Sequence, residues 1–243
     1  MNRIDHTNGP GPTIPTVAIL PAFNLESGIA DIVRRTQRYV GKVVVVADGS
    51  WDRTATRARQ AGAVVPEPLS IRGKGFAVIK GVDRAKKFKA EVVVLMDADG
   101  QHLPEEIPQL VAPLKDHKID MVVGSRMLGT LRTSTINRFG NLALKMLSFG
   151  VTRRWLTDTE SGFRAFRAAR LFELPLRSRG YEIESELLLR ALHDCWNIVE
   201  VPINVPFAVP GITVWDGMKV GYHKLRLSSQ LWLKKRRVDQ RRL

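Results

Sequence analysis

Val92-Val93-Val94-Leu95-Met96-Asp97-Ala98-Asp99-Gly100-Gln101-His102 is the stretch on which the fold is decided. A Val-rich apolar run reads as a strand buried on both faces, the kind found inside a parallel sheet. It ends in two aspartates one residue apart. At the carboxyl end of a strand, Asp97 and Asp99 reach the crevice where open α/β sheets bind ligands. Two carboxylates meeting there repel unless a cation lies between them, and hard oxygens suit Mg²⁺ or Mn²⁺. The alternative is a polar turn, since Asp and Gly are common turn residues.

Working outward, the chain repeats this pattern. Residues 16–20 form an apolar run stopped by Pro21, and Ser27 is positioned to cap a helix over 28–39. Val43–Ala47 is a second buried run, ending in Asp48-Gly49-Ser50; Asp52 or Ser50 then caps an Ala-rich helix closed by Gly62. Residues 63–65 suggest a short strand, 74–89 a helix, 104–115 a helix opened by Pro104, and 120–124 another strand. Alternating strands and helices predict an α/β fold with a mostly parallel sheet flanked by helices. Right-handed crossovers bring the ends at Phe23–Glu26, Asp48–Ser50 and Asp97–Asp99 to one edge.

Length and composition set the outer bounds. The chain has 243 residues, enough for a substantial core, with 44% hydrophobic and 26% charged residues. With no internal repeat or low-complexity linker, it reads as a lead-in (1–15) rich in Gly and Pro, one domain (16–230) and a basic tail (231–243). The net charge of +14 predicts attraction to polyanions: nucleic acid, anionic headgroups or phosphorylated small molecules. A single cysteine, Cys195, excludes an intrachain disulfide. No segment approaches the roughly 20 apolar residues of a membrane span.

Gly73-Lys74-Gly75 lies before a helix, where a glycine loop lets the backbone approach a phosphate and Lys74 adds positive charge. The spacing is neither that of a P-loop nor that of a dinucleotide fingerprint, and a bare surface turn is the alternative.

Six motifs in order now carry a likeness: Pro21-Ala-Phe-Asn24, Ala47-Asp-Gly-Ser-Trp-Asp-Arg-Thr54, Gly73-Lys-Gly75, Asp97-Ala-Asp-Gly-Gln-His102, Gly124-Ser-Arg126 and Asp158-Thr-Glu-Ser-Gly-Phe163. Over residues 15–220 the chain resembles inverting, Rossmann-like GT-A glycosyltransferases of family 2, above all the dolichyl- and polyprenyl-phosphate mannosyl- and glucosyltransferases. The resemblance implies a nucleotide-sugar donor such as GDP-mannose, UDP-glucose or UDP-N-acetylglucosamine, a Mg²⁺ or Mn²⁺ ion, and a polyprenyl or dolichyl phosphate acceptor. It implies that Pro21, Ala22, Phe23, Asn24, Glu26 and Asp48 hold the nucleotide, with Lys74, Asp97, Ala98, Asp99 and Lys219 on the donor. Asp97, Asp99 and Gln101 are the implied metal set. Two departures fall in the nucleotide pocket: Leu25 separates Asn24 from Glu26, and Ala47 precedes Asp48 where the family has a second aspartate.

The second half supplies the acceptor side. Apolar residues cover well over half the wheel of 135–151, more than a core-facing helix needs, so this segment either faces lipid or is sandwiched within the protein. Arg126, Arg132 and Arg138 are candidates to grip the acceptor phosphate, and the resemblance favours Arg126 and Arg138. In a helix over 182–194, Glu184 lies in the middle of the apolar arc while Glu182, Glu186, Arg190 and His193 fall on the polar side. A carboxylate on a buried face is costly unless paired, so Glu184 is either functional or a structural ion pair. Asp99, Arg126 and Glu184 are the catalytic candidates. Ile198–Val205 reads as an edge strand, broken by Pro202.

The expectation is transfer of the sugar to the lipid phosphate with inversion. The chain would work peripherally on the cytoplasmic face of a membrane, by surface contact or through a membrane-anchoring partner subunit, and not on nucleic acid. Two rivals remain: a transferase with a soluble or glycan acceptor, and a non-catalytic basic module binding nucleic acid or membrane.

Overall fold

Four consecutive valines show how the centre is built. The structure, a computed structural model, describes residues 14–66, 72–129 and 156–206, together with the helical residues Tyr222, Arg226 and Ser229. In β2 (Lys42–Ala47), Val43 and Val45 face one side of the sheet and Val44 and Val46 the other. Side chains alternate along a strand, so an unbroken apolar run is stable only where both faces are covered. One face carries α1 (Ile29–Thr36), α2 (Thr54–Gln60) and α4 (Ile107–Val111), which contribute Ile29, Val33, Ala58, Ile107 and Leu110. The opposite face carries α3 (Lys74–Ala85), α5 (Ala168–Glu173) and α6 (Ile183–His193), with Val78, Val82, Leu171, Leu187 and Leu188. Each such aliphatic side chain, fully buried, contributes roughly 1.5–3 kcal/mol.

Among the described residues the sheet has six strands, ordered β2-β1-β3-β5-β4-β6. β1 (Thr16–Ala22), β3 (Val92–Leu95), β4 (Met121–Ser125) and β6 (Ile198–Pro202) share one direction with β2, and β5 (Arg164–Arg167) runs against them. β5 is antiparallel because the chain leaves β4 at the carboxyl rim and re-enters the sheet from that rim, descending between β3 and β4. That descent lays residues 157–163 along the rim. Strand order reverses at β1, flanked by β2 and β3, so the crevice expected of such sheets lies at the ends of β1 and β3.

Several expected boundaries shift. Ser27 does not cap α1: the N-cap position is Gly28 with no side-chain bond, and the Leu25 carbonyl takes the Gly28 and Ile29 N–H groups at 3.1 and 3.0 Å. The helix expected over 104–115 divides into a 3₁₀ turn (Pro104–Glu106), α4 and a second 3₁₀ turn (Ala112–Lys115). Pro108 and Pro113 have no N–H to continue an α-helical ladder. The strand expected at 63–65 contracts to one bridge, Val44 to Val64. The short helix α5 was not anticipated. β6 is an edge strand, as its proline implied.

Candidate active site

The chain after β3 folds back on itself. The Asp97 N–H donates to Nδ1 of His102 at 3.1 Å, and the imidazole stacks on Phe163 with centroids 5.0 Å apart. Accepting at Nδ1 fixes the neutral tautomer with its proton on Nε2. Burial lowers the imidazole pKa, against the pull of the Asp97 charge. Asp99 lies further out, accepting from the backbone N–H (3.0 Å) and side-chain amide (2.5 Å) of Gln101.

The expectation for Gly73-Lys74-Gly75 needs correction. The α3 N-terminus does not open toward a phosphate in this structure, because protein acceptors fill it. The Arg72 and Gly73 N–H groups donate to Asp48, the latter at 2.6 Å, and those of Gly75 and Phe76 donate to the Arg179 carbonyl at 2.8 and 3.2 Å. The glycines serve a close backbone approach: Gly73 sits at φ +97°, and a Cβ on Gly75 would collide with the Ser178 carbonyl. That facing loop is pinned by α6 and its cap. Glu186 accepts the Arg177 and Ser178 N–H groups at 2.9 and 2.7 Å, and Glu182 those of Arg179 and Gly180 at 3.3 and 3.1 Å. Glu186, expected on the polar side of α6, is therefore buried, 1% exposed, and also pairs with Arg190 at 2.7 Å. Gly75→Ala should cost about 1–3 kcal/mol, because a rigid carbonyl stands where the methyl must go. Urea denaturation of the variant against the wild type measures it.

Lys74 consequently points inward. Its Nζ lies 2.6 Å from Asp97 Oδ1 and 2.6 Å from Glu184 Oε1. Burial opposes the lysine charge, but the two carboxylates outweigh it and raise the pKa above the ordinary lysine value. For Asp97, burial works against ionisation, yet the Lys74 charge holds its carboxyl below the usual range. Glu184 moves the other way, raised by burial and by the Asp97 charge despite Lys74. A void of about 10 Å³ lined by Pro21, Lys74, Asp97, Gly162 and Glu184 leaves no room for a sugar behind Lys74.

Residues 157–163 close the opposite side. A Cβ on Gly162 would come within 2.5 Å of Asp97 Oδ2, so only glycine leaves that oxygen its space. Arg164, fully buried, donates to the carbonyls of Ser161, Glu184 and Thr159 at 2.7, 2.6 and 2.8 Å and so ties this loop to α6. Burial lowers its pKa, opposed by Glu184, Glu160 and Asp158. Arg126 forms a two-point pair with Asp158, at 2.6 and 2.8 Å. Glu200 on β6 receives the Thr157 and Asp158 N–H groups at 2.8 and 3.0 Å and fixes the start of the loop.

At the ends of β1 and β2, two loops are laced together. Asn24, left-handed at φ +51°, donates its N–H to Ser50 Oγ (3.1 Å) and accepts the Trp51 N–H at Oδ1 (3.2 Å). Glu26 donates its N–H to Asp52 and accepts that of Arg53, at 3.0 and 2.9 Å. Phe23 and Trp51 stand exposed at the rim, edge to face with centroids 5.1 Å apart. Pro21 and Ala22 end β1 beside them, and Ala98 is buried between the two aspartates.

The structure thus gathers Pro21, Lys74, Asp97, Gly162 and Glu184 around one point, with Asp99, Gln101 and Arg126 further out along the same rim. Asp48 is engaged with the backbone of the 72–73 loop. Arg132, Arg138, Lys219, the segment 135–151 and the tail 231–243 lie outside the described residues. The sequence reading did not single out Arg164 or Glu200. As lone charges near strands they look like solvated surface, and only the return of residues 157–163 to the rim gives them work.

Asp97 and Asp99 fit a divalent cation in kind. Both offer hard oxygens, and the Asp97 side chain is 26% exposed. Among the described residues, no three acidic, histidine or cysteine side chains form a cage. Mg²⁺ is commonly held by one or two carboxylates and completed by substrate phosphates, which suits this pair.

A sheet that reverses at β1, with a strand-end acidic pair beside the switch point, is the arrangement of a GT-A glycosyltransferase. Residues 17–173 match Glycosyl transferase family 2, and the chain belongs to that family. It is 30% identical over 236 residues to the UDP-N-acetylglucosamine–dolichyl-phosphate N-acetylglucosaminyltransferase of Methanococcus voltae, covering 86% of this chain and 94% of that one. It is 28% identical over 253 residues to the polyprenol monophosphomannose synthase of Mycolicibacterium smegmatis, covering 95% and 91%. A crystal structure of glucosyl-3-phosphoglycerate synthase from Mycobacterium tuberculosis, with Mn²⁺, UDP and phosphoglyceric acid, superposes at a TM-score of 0.71 and 23% identity, over 90% of this chain and 79% of that one. No helix among the described residues is long and apolar enough to cross a membrane.

Proposed function

We propose that this glycosyltransferase moves a sugar from a nucleoside-diphosphate donor to the phosphate of a polyprenyl or dolichyl lipid, with inversion at the anomeric carbon. The observation that carries the reading is the strand-end acidic pair Asp97 and Asp99 at the switch point, with Lys74 fixed beside it between Asp97 and Glu184. Both curated relatives described above bear names for transfer to a polyprenyl-type acceptor, one with N-acetylglucosamine and one with mannose. That split leaves the donor sugar open.

An acceptor phosphate oxygen attacks the anomeric carbon from the face opposite the donor diphosphate. The bond from carbon to diphosphate oxygen breaks, and its electron pair leaves with the nucleoside diphosphate. A phosphate monoester is already ionised near neutral pH, so no strong base is required. Asp97 and Asp99, with Gln101 beside them, would hold a Mg²⁺ or Mn²⁺ ion, which supplies Lewis acidity toward the diphosphate. Lys74 lends charge to the leaving group, and Glu184 holds Lys74 in place from behind. Arg126, steadied by Asp158, turns its remaining nitrogen toward the acceptor phosphate, with Arg138 assigned to the same task. Pro21, Ala22, Phe23, Asn24, Glu26 and Asp48 frame the nucleotide; Lys219 is assigned to its phosphates. The protein's contribution is positioning and charge stabilisation.

Radiolabelled GDP-mannose, UDP-glucose and UDP-N-acetylglucosamine, each offered with a polyprenyl phosphate and Mg²⁺ or Mn²⁺, test the proposal. One donor should move label into an organic-extractable glycosyl phosphate, and chelation should stop it. Label reaching only soluble or glycan acceptors would overturn the lipid assignment.

A further inference from the structure

The face of the sheet opposite Lys74 and Glu184 carries a second basic concavity. Between α1 and α2 lies a groove of about 480 Å³, lined by Arg34, Arg53 and Arg57 with Thr56 and Gln60. Ala30 and Ala61 complete the lining, and their short side chains leave the space open. The spacing produces the alignment: residues 53, 56, 57 and 60 recur at three and four and so share one side of α2, as residues 30 and 34 share one side of α1.

The charges in this groove are poorly balanced. Arg53 pairs with Glu26 at 3.3 Å. Arg34 and Arg57 make no side-chain hydrogen bond or ion pair within the described residues, and Glu26, held low chiefly by Arg53, feels Arg57 only through space. Three guanidinium groups therefore line the groove, and among the described residues only Arg53 is paired with a carboxylate, so like charges stand together there. Guanidinium groups bind phosphate oxygens in a two-point fork, and a hydroxyl and an amide beside them supply neutral donors.

We infer that the α1–α2 groove binds a phosphate-bearing anion at a site separate from the transfer centre. The groove shares no residue with the Lys74 cluster and meets the nucleotide loop only through the Arg53–Glu26 pair, so the inference stands whether or not the lipid-phosphate reading holds. Two sources share this chemistry, an anionic lipid headgroup and a free phosphate or diphosphate.

The test uses the full chain with Arg34→Ala/Arg57→Ala, and Arg38→Ala/Arg59→Ala as a charge-matched control outside the groove. Probes are phosphatidylcholine vesicles with and without phosphatidylglycerol, and inorganic diphosphate by calorimetry. A basic side chain near an anionic surface is worth about 1 kcal/mol, so the groove variant should bind the anionic vesicles on the order of 30-fold more weakly, beyond any loss in the control. A groove-specific loss confined to vesicles assigns a headgroup; loss of one diphosphate site from the isotherm assigns a free phosphate. Equal losses in both variants, or no loss in the groove variant with either probe, overturn the inference.

Discussion

Asp97→Asn should leave a folded protein that transfers sugar on the order of 10²–10³-fold more slowly, the scale seen when one preorganised electrostatic group is removed. The amide keeps the volume between Gly162 and Lys74 while removing the charge. Lys74 retains its second partner, Glu184 at 2.6 Å, so the lysine is not stranded. Stripping every partner from a buried charge costs about 3–5 kcal/mol, and with one carboxylate left the loss should stay below that range. Asp99→Asn should slow transfer comparably with almost no change in stability, because Asp99 is exposed and, among the described residues, bonded only to its neighbour Gln101. Initial rates at saturating donor, with thermal melts of both variants, separate the two effects. Turnover of Asp97→Asn within tenfold of the wild type would end its assignment to the donor site.

The parts legible in the sequence are those where local pattern and tertiary environment agree. The Val runs of β2 and β3 announce strands covered on both faces, and the two cores confirm it residue by residue. Glu184 was found because a carboxylate within an apolar arc needs a partner, and Lys74 is that partner. The rim emerged from three polar strand ends, since right-handed crossovers leave them nowhere else to go.

What stayed hidden depends on segments far apart in the chain. Gly73 and Gly75 read as a phosphate loop, yet the backbone they admit is that of Ser178 and Arg179, about a hundred residues downstream. A helical wheel treats the far side of α6 as solvent. It cannot know that residues 177–178 fold over Glu186 and hand it two amide protons. Arg164 opens a short strand, where an arginine ordinarily reaches water; its burial follows from three carbonyls arranged by a loop and the first turn of α6. The direction of β5 is set by where the chain re-enters the sheet, which no local periodicity records.

Lys74→Met should be the most damaging single change, because it removes a buried charge shared by two carboxylates. In the wild type the two acids are shifted in opposite senses. Asp97 is held low, so its contribution is present above its unfolded pKa and lost as pH falls. Glu184 is raised, so its contribution is present below its unfolded pKa and lost as pH rises. These slopes oppose each other, and the lysine's own raised pKa matters only on the alkaline side. Without the ammonium, Asp97 and Glu184 repel in a largely desolvated site, and the pair takes up a proton. Both carboxyls then titrate above their unfolded values of roughly 4, so the variant loses stability steadily as pH rises from about 5 to 8. Breaking a buried pair of this kind costs about 3–5 kcal/mol, with the full loss expected near pH 8 and a smaller one near pH 5. Adding Glu184→Gln removes the repulsion and should restore much of the stability, while transfer stays on the order of 10²-fold down because the leaving group still lacks its positive neighbour. Urea midpoints of wild type, single and double variant at the two pH values decide the matter. Parallel pH slopes for wild type and Lys74→Met would mean that the lysine does not hold the two acids together.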